Sequence, residues 1–194
     1  MSAQDARGPE EFERHWSGAL PAMIPLLETL RIEVRSASWF AALGEPLTDG
    51  DRADAFDYSG AAEVQRVASW AEAEAFLKLT TTLDWWNREE ALRKELLAQA
   101  EARYPERALW TALTELTTDA GDLVHGKAAT AAARMGGAAP ASIHVAAGAA
   151  AQAVYQLAVA RAAGASASPF ESKFRLFAAG RWPLGVAGSR LVLF

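Results

Sequence analysis

No cysteine occurs in the 194 residues. A disulfide framework, thiolate zinc sites, iron–sulfur clusters and a cysteine nucleophile are therefore excluded. Histidine is scarce, at three residues, and no H-x-x-x-H pair exists to seed a helical metal site. Runs of basic residues are lacking too: 19 Lys+Arg are dispersed among 24 Asp+Glu, for a net charge of −5. That is not the electrostatic footprint of a nucleic-acid binder, and no nucleic-acid partner is expected. Residues 1–7 have no apolar h-region, so no secretory signal is read there and the cytoplasm is the expected compartment. Residues 141–164 are long enough to span a membrane, but His144, Gln152, Gln156 and Arg161 interrupt them and alanine inserts weakly. No membrane insertion is expected.

Apolar residues are plentiful, at 51 % of the chain. Roughly 45 residues are alanine, far above an ordinary mix. This composition suits one folded domain over 1–194. Residues 1–8 are small and polar and are expected to be disordered.

Helical periodicity dominates the chain. Pro9 heads a helix over 10–20, Pro21 and Pro25 are expected to interrupt it, and a second helix is predicted over 25–43. Its stripe is Leu26, Leu30, Val34, Ala37 and Ala41, with Glu28, Arg31, Arg35 and Ser38 on the wet side. The acidic segment 48–60 has room for one short helix capped by Asp49. A strand is predicted over 63–68, followed by Ser69-x-x-Glu72, a capping box heading a helix over 70–79. Thr80-Thr81-Thr82 favours an extended break, with Asp84 capping a helix over 85–104. That helix buries Trp85, Leu92, Leu96 and Ala100 and carries Glu89–Arg93 and Glu90–Lys94 pairs outside. A long helix from Pro105 to about Met135 follows, with Leu109, Leu113, Leu116, Ala120 and Leu123 inward. Gly136-Gly137 stops it, and Pro140 starts a helix to Ala163 that is apolar nearly all round, which marks it as central and buried.

Segment 165–194 is predicted as a helix from the Ser168-Pro169 cap to Ala179, then a hairpin docking on the bundle. Strands over 181–186 and 190–194 flank Ala187-Gly188-Ser189, with Pro183 holding the first at an edge or bulge. The expected fold is mainly α: an irregular helical bundle around the alanine-rich helix, with a small β element joining the hairpin to 63–68.

Gly121 to Ala128 approaches a phosphate-loop pattern, but alanine replaces the hydroxyl residue and helical periodicity runs through it. Asp49, Asp51, Asp54 and Asp57 lack the glycine and glutamate of a calcium loop and read as a solvated acidic segment.

Asp122 and His125 share a helical face, with Glu115 and Asp119 along the same polar side. One reading is a small hydrolase-like enzyme. His125 would be the general base, Asp122 its orienter and Glu115 or Asp119 an auxiliary acid, with metal assistance as a variant. Around the apolar helix, His144, Gln152, Tyr155 and Gln156, with Trp86, could line a small polar ligand cavity. His144 is expected to be buried and hydrogen-bonded, so that His144→Ala costs about 1–3 kcal/mol.

The preferred reading is a non-enzymatic binding or assembly protein, without metal or organic cofactor. Leu191-Val192-Leu193-Phe194 carries no charge to protect a strand edge, and both of its faces need cover. A homodimer, or another protein partner, is expected on that ground.

Overall fold

The computed structural model describes residues 9–79 and 83–194, with side chains placed for 23–78 and 84–194. Along these residues run α1 (Pro9–Ser36), α2 (Asp49–Ser59), β1 (Glu63–Arg66), α3 (Trp70–Leu79), α4 (Leu83–Arg103), α5 (Glu106–Arg134), α6 (Pro140–Ala163), α7 (Pro169–Ala178), β2 (Pro183–Ala187) and β3 (Arg190–Leu193). The expectations for 1–8, for Thr80-Thr81-Thr82 and for the side chains of His15 and Trp16 lie outside the described residues.

The expected mainly α bundle is what forms. Small residues let helices approach closely, and α6 concentrates them: Ala146, Ala150, Ala153, Ala158 and Ala160 are fully or almost fully buried. Helices α1, α4, α5 and α7 pack round it. Among the described residues α6 is the one helix long and apolar enough to cross a membrane, and most of it is covered by its own chain. Its one formal charge, Arg161, is held by both oxygens of Glu171 on α7 at 2.7 and 3.0 Å and by Glu33 on α1 at 2.8 Å. Glu74 of α3 accepts from the Ala139 N–H and the Ser142 hydroxyl, capping the α6 N-terminus that Ala139 leaves uncapped. The hydroxyl bond from Ser142, then the backbone bond, hold the Glu74 carboxyl below its usual range.

Helix α1 departs from expectation twice. It runs unbroken through Pro21 and Pro25, because each proline removes only one backbone donor while Met23, Leu30 and Val34 stay on one buried stripe. It also stops at Ser36 rather than near Leu43, since tertiary packing overrides the local period. Residues 37–45 fold as turns that place Trp39, Phe40 and Leu43 in the core. The Trp39 indole donates to the Val34 carbonyl at 2.7 Å, and Arg134 of α5 donates to the Phe40 and Ala41 carbonyls. Phe40 adopts φ 59°, a conformation uncommon for a bulky side chain. Aromatic packing over-determines it: the Phe40 ring meets Phe177 and Trp182 edge-on.

Segment 48–60 is neither a calcium loop nor a solvated acidic stretch. It is α2, capped by Thr48 rather than Asp49, with Thr48 and Asp51 forming the reciprocal box. Asp51 is buried against Arg181, and Asp54 pairs with Arg175 of α7 at 2.6 Å. Likewise Asp84 lies inside the first turn of α4, not before it.

The sheet order is β1-β3-β2, with β1 parallel and β2 antiparallel to β3. The joining of 63–66 to the hairpin is as expected, and so is Pro183 on an edge strand beside a register shift. The terminal strand, however, is the middle one. Leu191 and Leu193 face Ala55, Tyr58 and Leu176, whereas Val192 and Phe194 face the main core. Both faces and both edges are covered within the chain, so the terminal residues supply no reason for a second subunit.

The turn after α7 closes on the turn after α1. Gly180 has φ 89°, and a Cβ there would stand 2.6 Å from the Ala42 nitrogen and 3.0 Å from that of Ala41. Gly180→Ala is expected to destabilise by about 1–3 kcal/mol, from positive-φ strain plus backbone collision. Urea unfolding followed by circular dichroism measures this, and an unchanged midpoint would contradict the close approach.

Candidate functional site

Residues four and three apart on a helix share a face. Glu115, Asp119 and Asp122 therefore form one acidic row on α5, and Arg31 and Arg35 form a basic pair on α1. Packing of α1 on α5 brings the two rows together. Between them lies a half-open groove of about 280 Å³, lined by Arg31, Arg35, Asp119 and Asp122 over a floor that includes Val34, Leu116 and Ala120. An Arg31 Nη donates to Glu115 at 3.2 Å, and its Nε stands 3.8 Å from Asp119. Glu115 and Asp119 are both 59 % exposed in their side chains, so water screens these pairs and each contributes about 0–1 kcal/mol.

His125 does not join this groove. It is exposed, turned a further step round α5 towards α6, and its ring meets that of His144 at 4.9 Å between centroids. Asp122 faces α1 instead, and no hydrogen bond links Asp122 to His125 among the described residues. The four residues considered for general-base chemistry thus divide, with the three carboxylates on the α1 side and the histidine on the α6 side.

The expected ligand set divides as well. His144 is exposed rather than buried: it stands two residues from each of the buried Ser142 and Ala146, and residues two apart on a helix point to nearly opposite sides. Its Nδ1 donates to the Pro140 carbonyl at 2.8 Å. His144→Ala is accordingly expected to change stability by no more than about 0.5 kcal/mol, in place of the larger loss a core position would give. Gln152 is exposed, while Gln156 is 1 % exposed and its Oε1 has no hydrogen-bond partner among the described residues. The Tyr155 hydroxyl accepts from Arg93 at 3.3 Å. Arg93 itself is doubly bonded to Glu90, and that bond, with a further pull from Tyr155, outweighs the opposing effect of burial and holds it firmly protonated. Trp86 is 52 % exposed on α4, while its neighbour Trp85 turns in to meet Tyr58 edge-on at 5.0 Å. Adjacent helical residues diverge by about 100°, so this split is as expected.

Two buried ionic clusters escape the periodic reading. Arg181 is 3 % exposed and Asp51 4 %. The guanidinium donates four hydrogen bonds, one to Asp51 at 3.2 Å and three to the carbonyls of Ala42, Glu45 and Pro46, and a second nitrogen stands 3.0 Å from the same Asp51 oxygen. Glu89, expected on the wet side of α4 and paired with Arg93, instead accepts from the buried Lys173 ammonium at 2.7 Å and from the Tyr58 hydroxyl at 3.0 Å. The exposed Glu90–Lys94 pair forms as expected, at 3.6 Å. Burial pushes the Lys173 ammonium below its ordinary range against the opposing pull of Glu89. The Tyr58 hydroxyl is raised well above its own, by burial first and by Glu89 second. Both clusters tie α2 and α7 to their surroundings, and neither opens on the groove.

Residues 121–128, which approach a phosphate-loop pattern, lie within α5. Their backbone N–H groups are spent inside the helix and cannot cradle an anion. Comparison of the chain with known protein families, with curated proteins and with solved structures gives no match.

Proposed function

We propose that the chain is a non-enzymatic binding or assembly protein of the cytoplasm, and that a protein partner docks along the groove between α1 and α5. The observation that carries this reading is the opposed Arg31 and Glu115–Asp119 charges beside an apolar floor. Exposed ion pairs are cheap to exchange. A partner segment can replace one member with its own charged group while covering the half-buried Leu123, which also lines the groove. Apolar centre and polar rim is the ordinary anatomy of a protein interface. Ile24, seven residues before Arg31, continues the same face of α1 and is 51 % exposed; Ile32 beside it is 68 % exposed. The deeply buried ionisable side chains, Asp51 with Arg181 and Lys173 with Glu89, are spent on one another. The general-base reading has less support, since His125 and Asp122 face different neighbours.

A photo-crosslinking residue placed at Arg35, and as a control at the exposed Gln99 on α4, tests the proposal in expressing cells. The Arg35 position is expected to give a discrete adduct that Gln99 does not. An adduct of twice the chain mass identifies the partner as a second copy. Equal or absent labelling at the two positions would overturn the groove as the binding surface.

A further inference from the structure

The third face of α5 carries a pair of side chains that neither the core nor the groove uses. His125 on α5 and His144 on α6 are both exposed, and their rings stand 4.9 Å apart between centroids with planes inclined at 66°. Two imidazoles on one tetrahedral ion, each nitrogen about 2.0–2.1 Å from the metal, hold their ring centres about 5 Å apart. The observed centroid separation is of that size, so rotation of the two side chains, without movement of either helix, can aim a nitrogen of each at one ion. The tautomer of His144 is also set. The Pro140 carbonyl can only accept, so in the neutral ring Nδ1 carries the proton and Nε2 is the nitrogen open to a metal. A backbone carbonyl on the far nitrogen is the usual way a metal-binding imidazole is oriented. The turn that bears His144 is itself tied down, through the bonds of Ala139 and Ser142 to Glu74.

From this geometry we infer that His125 and His144 form a two-imidazole chelate for a divalent transition-metal ion of the zinc, nickel or copper class. Those ions favour imidazole, whereas calcium and magnesium require oxygen donors. No group of three candidate ligands exists among the described residues, so water completes the coordination. The site is a bridge between two helices at the surface, separate from the groove, and it stands or falls independently of the proposed partner.

Zinc titration of the full chain by calorimetry at neutral pH is the test, with the His125→Ala, His144→Ala and His15→Ala variants in parallel. One ion per chain is expected. Either of the first two substitutions should weaken binding at least about tenfold, because a chelate loses its advantage when one arm goes. Their double variant should be little worse than either single one. His15→Ala should bind as the wild type does. The His125 and His144 rings are exposed, so their single and double variants should keep the helical circular dichroism spectrum. Binding that survives either His125→Ala or His144→Ala, binding lost in His15→Ala, or no binding at all would overturn the site.

Discussion

Asp51→Ala should destabilise the fold by about 3–5 kcal/mol, the cost of stranding one member of a buried ion pair. The reason lies in what remains. Arg181 keeps the Ala42, Glu45 and Pro46 carbonyls but loses the one counter-charge it has among the described residues, at a position almost closed to water. The Thr48 N–H loses its acceptor at the same time, so the α2 cap weakens with the pair. Arg181→Met should be comparably damaging for the converse reason, stripping the Ala42, Glu45 and Pro46 carbonyls of the guanidinium and leaving the buried Asp51 carboxylate with the Thr48 N–H but without the Arg181 charge. Arg181→Lys does not rescue it, because an ammonium has three donors on one nitrogen where the guanidinium reaches four separate acceptors. Urea unfolding of each variant reads these losses, and a deficit below about 1 kcal/mol for Asp51→Ala would refute the ledger for this pair.

The same pair has a pH signature. Burial alone would raise the Asp51 carboxyl, but hydrogen bonds from Thr48 and Arg181, with the charge of Arg181, bring it below its ordinary 3.8. A depressed carboxylate adds stability that is fully present above the unfolded value and is lost as pH falls through the folded one. The stability gap between wild type and Asp51→Asn should therefore be constant near neutrality and narrow below about pH 4. A gap that widens on acidification would reverse the sign and the interpretation.

The helices were legible because apolar spacing reports burial directly, and the β element because alternation at the terminus demanded cover on both faces. What escaped was the pairing of elements. Nothing in the local pattern of 190–194 says that β1 will run parallel beside it, closing the edge from which self-association was expected. Proline at 21 and 25 suggested a break because propensity is local, whereas the α1 stripe is satisfied only by a continuous helix against α5 and α6. The groove followed the same rule. Arg31 and Arg35 were correctly on the wet side of α1, and Glu115, Asp119 and Asp122 on that of α5, but only tertiary packing made them neighbours. Arg181, expected at the start of the strand over 181–186, lies instead in the irregular link between α7 and β2, where no period reports burial. Lys173 and Glu89 did have a periodic signal. Lys173 stands within the stripe Phe170, Phe174, Phe177, and Glu89 stands between Trp85 and Leu92 on the buried face of α4. A charge on an apolar stripe marks a buried partner, and two such interruptions in one chain mark each other.

That mutual dependence gives the second large effect. Glu89→Leu alone should cost about 3–5 kcal/mol, because Lys173 is left in the core facing only the Tyr58 ring at 5.4 Å. Adding Lys173→Met and Tyr58→Phe removes the orphaned ammonium and the orphaned hydroxyl together. The triple variant should return to within about 1–2 kcal/mol of wild type, or exceed it, since apolar replacement of a whole buried ionic group is often neutral or stabilising. If the three losses simply add, the groups are not coupled and the cluster is misread. Alkaline titration supplies an independent check. The lowered Lys173 means that the unfolded chain binds more protons between the folded value and about 10.5, so stability rises with pH across that interval. The raised Tyr58 acts in the opposite direction: above about pH 10 the unfolded chain loses a proton that the folded one keeps, and stability falls. Wild type should thus show a rise towards pH 10 followed by a decline, Lys173→Met should lose the rise, and Tyr58→Phe should soften the decline. Urea unfolding at intervals from pH 7 to 11 would separate the two limbs, and a wild-type curve falling steadily from neutrality would contradict the burial of the ammonium.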